Sequence, residues 1–311
     1  MWGFNKAMVE RPWERRLPSF RRYVGNMRRA RETLASLLRA TEELGFPLTW
    51  AVVGHLALDR CDCPSGVPHP DMPRPRTASG LDWYAFDPCS DVRREPLWYG
   101  SDMVEAVLDS PVEHEIACHS FSHVDFSACD RRVAEAEVAK CISVLRERFG
   151  VRPVSFVFPH DRVGHLDVLA KHGIKVFRAP ISSLLWPLDG PESIKATVMS
   201  VVEEPLASRL RAPRLPGRLR RVGALVRTPN AGPLYRPSVH KLALHFYRLL
   251  RALFLACRRG LVLHVYAHLH NLAQGPAYLR AFKLFMKTVK DFEEQGLLRV
   301  LTMRDASKHT R

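Results

Sequence analysis

The chain is 311 residues long, 46% hydrophobic and 25% charged, with a formal net charge of +15. That length buries one substantial core, and the composition excludes a disordered or fibrous chain. The charge is local: from Pro205 to Lys290 there are seventeen Lys or Arg and no Asp or Glu, so the other residues sum to about −2.

In chain order, the first 22 residues are rich in Arg and aromatics and show no apolar run with a small-residue cleavage site, so no secretory signal is visible. Arg28 to Leu44 carries Leu34, Leu37, Leu38 and Leu44 on one helical stripe, which predicts an amphipathic helix ended by Gly45. Residues Pro47 to Gly54 form a short, nearly all-apolar run suited to a strand buried on both faces. Cys61 to Pro96 is dense in Pro, Asp, Ser and Gly and predicts a long loop. Helix is expected at Ser101 to Leu108 and strand at His114 to Cys118. Arg131 to Phe149 is expected to be a helix opened by Asp130, followed by strand at Val154 to Phe158, helix at Leu166 to His172 and strand at Ile174 to Phe177.

From Pro205 to Pro237 periodicity vanishes, and an irregular basic insertion is expected within a single domain spanning residues 1–311. His240 to Arg258 and Ala277 to Gln295 read as helices, Leu261 to Ala267 and Leu298 to Leu301 as strands. The most apolar stretch, Leu242 to Cys257, is interrupted by Arg248 and Arg251 and is too short to span a bilayer. Alternating strands and helices with short connections predict an α/β fold built on parallel strands.

Seven cysteines at positions 61, 63, 89, 118, 129, 141 and 257 do not make a disulfide framework in a chain this size; reduced thiols in a cytoplasmic protein are expected. Cys61-Asp-Cys63 has the look of half a zinc clip, but no second pair has suitable spacing.

The sharpest chemical feature is His119-Ser-Phe-Ser-His123, directly after a predicted strand. Two imidazoles four apart at a strand's C-terminal end can converge on one divalent ion. His264 and His268 repeat the spacing, with Asn271 just beyond; spacing alone leaves His264 as readily a hydrogen-bonded core residue and His268 a loop residue.

His-Glu-Ile-Ala-Cys-His-Ser-Phe-Ser-His (114–123) resembles the second motif of the polysaccharide deacetylase (NodB-homology) family, in which a His-Ser/Thr-x-x-His element supplies two metal ligands. Ser155 to His165, with Pro159, is similar to the third motif, and Leu263 to Asn271 to the last. The likeness in order and spacing covers roughly residues 25 to 305. It implies a deformed (β/α) barrel and a hydrolase that removes N-acetyl groups from an amino sugar in a polysaccharide or its precursor. It also implies a divalent metal, most simply Zn²⁺, held by His119 and His123. His268 would be the general acid with His264 as the fallback, Arg162 would orient a carboxylate, and Pro159 and Asn271 would line the substrate site.

The family's first motif, an Asp-bearing strand running into Trp-Gly, is represented here by Trp2-Gly3 with Met1 alone before it. The first strand is therefore expected to be missing or incomplete, through a start-site error or a real truncation, with the general base unassigned. Asp125 and Asp59 are the nearest substitute carboxylates in sequence. A competing reading is a catalytically impaired deacetylase-like module that binds an anionic glycan or lipid-linked sugar. Arg209 to Arg227 would attract an anionic polymer or membrane surface. Nucleic acid is not expected, because interleaved aromatics are lacking.

Overall fold

The computed structural model describes residues 1–180, 216–232 and 242–310. Three N-terminal helices, α1 (Asn5–Glu10), α2 (Pro18–Arg28) and α3 (Ala30–Leu44), precede the first strand, β1 (Thr49–Val52). Sequence reading found α3 but not α1 or α2. Pro18 at the first turn, with its preset φ, favours the start of α2, and Gly45 ends α3 in the left-handed conformation at φ 56°.

After β1 come α4 (Ser101–Leu108), β2 (Glu115–Cys118), α5 (Arg131–Phe149), β3 (Ser155–Val157), α6 (Leu166–Lys171) and β4 (Val176–Pro180). As expected, Asp130 caps α5: its Oδ1 accepts the Val133 N–H at 2.9 Å. β1 to β4 pair in parallel in sequence order, with Val52 opposite Cys118 and Ser155 opposite Val176. Every residue of β2 and β3 is buried, including the polar Glu115 and Ser155 at their starts.

The sheet then departs from expectation. Part of the segment read as an irregular insertion, 205–237, is an ordered hairpin: β5 (Arg220–Val222) pairs antiparallel with β6 (Leu225–Asn230), and β6 lies parallel to β4. Buried Leu225 and Val226 supply the apolar contact that holds it there. Of the basic stretch 209–227, residues 209–215 lie outside the described residues, and Arg227 is buried rather than displayed.

The strand expected at 261–267 is an extended segment without a ladder. Its bonds to the hairpin region are scattered: Val262 bridges Gly217, the Ala231 N–H donates to the His264 carbonyl, and the Tyr266 N–H donates to Gly232. Residues 298–301 also form no strand, because the Val300 N–H is taken by the Glu293 side chain at 2.6 Å. Among the described residues the six strands form one sheet, in the order β1-β2-β3-β4-β6-β5.

One apolar cluster packs around the sheet, including Phe121, Phe126, Phe156, Phe158 and Phe177. A second joins Leu37 of α3 to Leu249, Leu253, Phe282 and Met286 of the helices Leu242–Arg259 and Pro276–Glu294. The stripe on Leu242–Arg259 is thus a packing face, and no described helix is long and apolar enough to cross a membrane. Cys63 and Cys89 form a disulfide, which corrects the expectation of reduced thiols throughout; the other five cysteines are free.

Candidate active site

Side chains with catalytic chemistry gather where the parallel strands end, the usual place for a site in such sheets. β2 ends at Cys118 and delivers His119. The chain then turns through Ser120 and returns His123, both at positive φ (58° and 63°), with the Ser120 hydroxyl accepting the His123 N–H at 2.9 Å. The two imidazole centroids are 4.8 Å apart. Left-handed backbone at non-glycine residues costs energy and persists where surrounding structure enforces it.

Buried Glu137 of α5 holds this turn from beneath. It accepts the Ser122 N–H at 2.7 Å and the Ser122 hydroxyl at 2.5 Å. Burial pushes its carboxyl pKa upward while the Ser122 bonds oppose the shift.

His119 donates from Nδ1 to the Val157 carbonyl at 2.6 Å, which fixes its tautomer and leaves Nε2 as a free acceptor. Burial lowers its pKa to about 3, and that of His123 well below the usual value, so both rings are neutral as ligands must be. His123 Nδ1 is buried without a hydrogen-bond partner, an orphan that an electrophile would satisfy.

The loop after β3 contributes His160 and Asp161, again at positive φ (57° and 56°). His160 sits 4.8 Å from His123, ring to ring. Asp161 is clamped: Arg178 of β4 reaches its Oδ1 from Nη2 at 2.9 Å and from Nε at 3.2 Å, and Asn230 at the end of β6 donates to its Oδ2 at 2.9 Å. Arg178 also stacks over Tyr266 at 4.2 Å.

His268, just beyond the 261–267 segment, lies close enough to His119 and His123 for its positive form to depress their pKa values. The surrounding walls pull its own pKa down to about 4 by desolvation, with Arg178 adding to the shift, although the residue reaches solvent at the pocket mouth. Asn271 Nδ2 stands 3.5 Å from His268 Nδ1. His264 bonds Thr228 Oγ1 through Nδ1 at 3.1 Å and is lowered to about 3 by burial.

Other expected residues fall elsewhere. Arg162 is exposed, and Arg178 makes the carboxylate contact proposed for it; the available signal was an Arg inside an otherwise apolar strand, which is buried only when paired. Pro159 is buried and opens the short 3-10 turn that carries His160. Asp125 is neutralised by Lys6 of α1 at 2.7 Å, and Asp59 by Arg148. Cys118 is fully buried beside the pair, as expected of a space-filling thiol. Among the described residues, no set of three His, Cys or carboxylate donors that includes His119 or His123 comes within 4.8 Å of one another.

Fold and pocket together define an α/β protein with a cluster of histidines at the C-terminal edge of a parallel sheet. Residues 26–177 match the model of the polysaccharide deacetylase family. A crystal structure from Mycobacterium smegmatis, provisionally named a polysaccharide deacetylase, is similar to 99% of this chain over 86% of its own, with a TM-score of 0.58 at 16% identity. Puue allantoinase is similar to 70% of this chain over 64% of its own, at 16% identity and a TM-score of 0.46. No curated protein matches the sequence.

Proposed function

We propose that the chain hydrolyses the N-acetyl group of an amino sugar in a polysaccharide or its precursor, using a divalent metal, Zn²⁺ by preference. The family supports a deacetylase, a hydrolase acting on a carbon–nitrogen bond. The observation that carries the finer reading is the convergence of two neutral imidazoles, His119 and His123, one with its tautomer set by Val157 and the other with an orphaned nitrogen.

Those two residues would hold the ion, which would polarise the acetamide carbonyl and lower the pKa of an attacking water. Around it, this chain's own groups have separable tasks. His268 at the mouth, neutral at rest, can take up a proton and deliver it to the departing amine. Asp161, fixed by Arg178 and Asn230, is a negative charge that favours the protonated form of His268 and His119. Asn271 can orient the His268 ring.

A second reading has one specific observation behind it: catalytic zinc sites generally use three protein ligands, and the His119–His123 pair lacks a compact third donor among the described residues. In that reading the module binds an anionic glycan or lipid-linked sugar without turnover.

The test is acetate release from N-acetylglucosamine oligomers by the purified chain, with Zn²⁺ or with chelator. Release that stops with chelator and with His119→Ala supports the hydrolase. Glycan binding by calorimetry without acetate release overturns it in favour of the binding module.

A further inference from the structure

A separate cluster of metal-binding side chains lies outside this pocket, between the exit of β1 and the long loop that follows. It comprises His55, Cys61, His69 and Asp87, all buried, with one donor atom from each inside a span of 4.8 Å. The contacts converge on one point. His55 Nε2 and His69 Nε2 both approach Asp87 Oδ2, at 2.9 and 3.0 Å, and His69 Nε2 is 3.5 Å from Cys61 Sγ. We propose that these four residues form a structural Zn²⁺ site that fastens the 61–96 loop to the sheet.

Geometry is the first argument. A tetrahedral zinc bound by one sulfur, two nitrogens and one oxygen sets nitrogen–oxygen edges of about 3.4 Å and a sulfur–nitrogen edge of about 3.6 Å, given ordinary bond lengths. The sulfur–nitrogen distance already fits, and the two nitrogen–oxygen contacts need to open by a few tenths of an ångström when a metal replaces the bridging protons. Four protein donors leave no open position, as in structural rather than catalytic zinc sites.

Charge is the second. A thiolate, a carboxylate and two neutral imidazoles carry −2, which one divalent cation cancels in a site walled by Trp2, Tyr84, Tyr99 and Phe121.

Need is the third argument. The loop has one short 3-10 turn, Pro64–Gly66, as its regular structure, and four of its non-glycine residues, Cys63, Ser65, His69 and Cys89, take positive φ. Cross-links must supply the order that ladders do not, and the adjacent Cys63–Cys89 disulfide is one of them. The zinc would be the second, tying the loop to His55 just beyond β1.

The test uses the full chain carrying His119→Ala and His123→Ala, so that the pocket described above contributes no metal. Elemental analysis is expected to find one zinc per chain, and the cobalt-loaded protein should show a thiolate-to-cobalt charge-transfer band. Adding Cys61→Ser should abolish the band and the metal while circular dichroism reports whether the chain is folded. A metal-free protein, a cobalt form without the charge-transfer band, or a Cys61→Ser chain with undiminished metal would each overturn the site. Should Cys61→Ser fail to fold, the cobalt spectrum of the Cys61-containing chain decides alone.

Discussion

Arg178 of β4 donates from Nη2 to Asp161 Oδ1 at 2.9 Å and so ties the end of one parallel strand to the loop that follows its neighbour. Both partners face the pocket that holds His119 and His268, and the guanidinium is seated on Tyr266. The pair sets the position of the pocket's negative charge.

That geometry predicts a sharp difference between two arginines. Arg178→Lys keeps the charge but loses the fork and the stacking, so kcat/KM for deacetylation should fall by on the order of 10- to 100-fold, the scale of one lost charge-assisted bond. Arg162→Ala, at an exposed position, should stay within about twofold. Steady-state kinetics on both variants checks this, and an equal loss in both would count against the clamp.

His268→Ala should reduce kcat by roughly 10²–10⁴-fold if the residue transfers a proton to the leaving amine. Metal content measured alongside should not change, since His268 is not among the proposed ligands. Loss of metal together with activity would move the residue from proton transfer to ligation.

Glu137→Ala removes the acceptor for both the N–H and the hydroxyl of buried Ser122. Each donor left without a partner costs about 1–3 kcal/mol, so urea denaturation should show a loss of at least that size. Because Ser122 lies between His119 and His123, zinc affinity should fall as well. A stable protein with unchanged affinity would show that Glu137 does not position the turn.

His114 gives a pH prediction. Its Nδ1 accepts the Leu48 N–H at 3.1 Å, its Nε2 lies 3.4 Å from Thr41 Oγ1, and burial lowers its pKa below the usual 6.5. Between the folded and unfolded values the unfolded chain binds more protons, so this contribution to stability is present above about pH 6.5 and lost as the pH falls below it. His114→Asn, which offers Leu48 an acceptor that does not titrate, should lose less stability than the parent between about pH 7 and about pH 5. Denaturation midpoints across that range provide the measurement; identical slopes would refute it.

The sequence by itself determined the parts whose cause is local. Asp130 capping α5, the nearly all-apolar run that holds β1, and the Gly45 stop of α3 depend on residues within a few positions of one another. Histidines four apart after a strand are local in the same sense, and their order along the chain pointed to the deacetylase family. Tertiary structure decided what depends on distant partners. Whether 261–267 joins a ladder depends on the hairpin beside it, and whether an arginine orients Asp161 depends on which strand ends opposite, so Arg178 rather than Arg162 does so. Cys61 and Cys63 resembled half a metal site with nothing to complete it, because the completing groups, His55, His69 and Asp87, have no regular spacing in sequence. An irregular loop brings them together by folding back on β1, and periodicity carries no information about where such a loop returns.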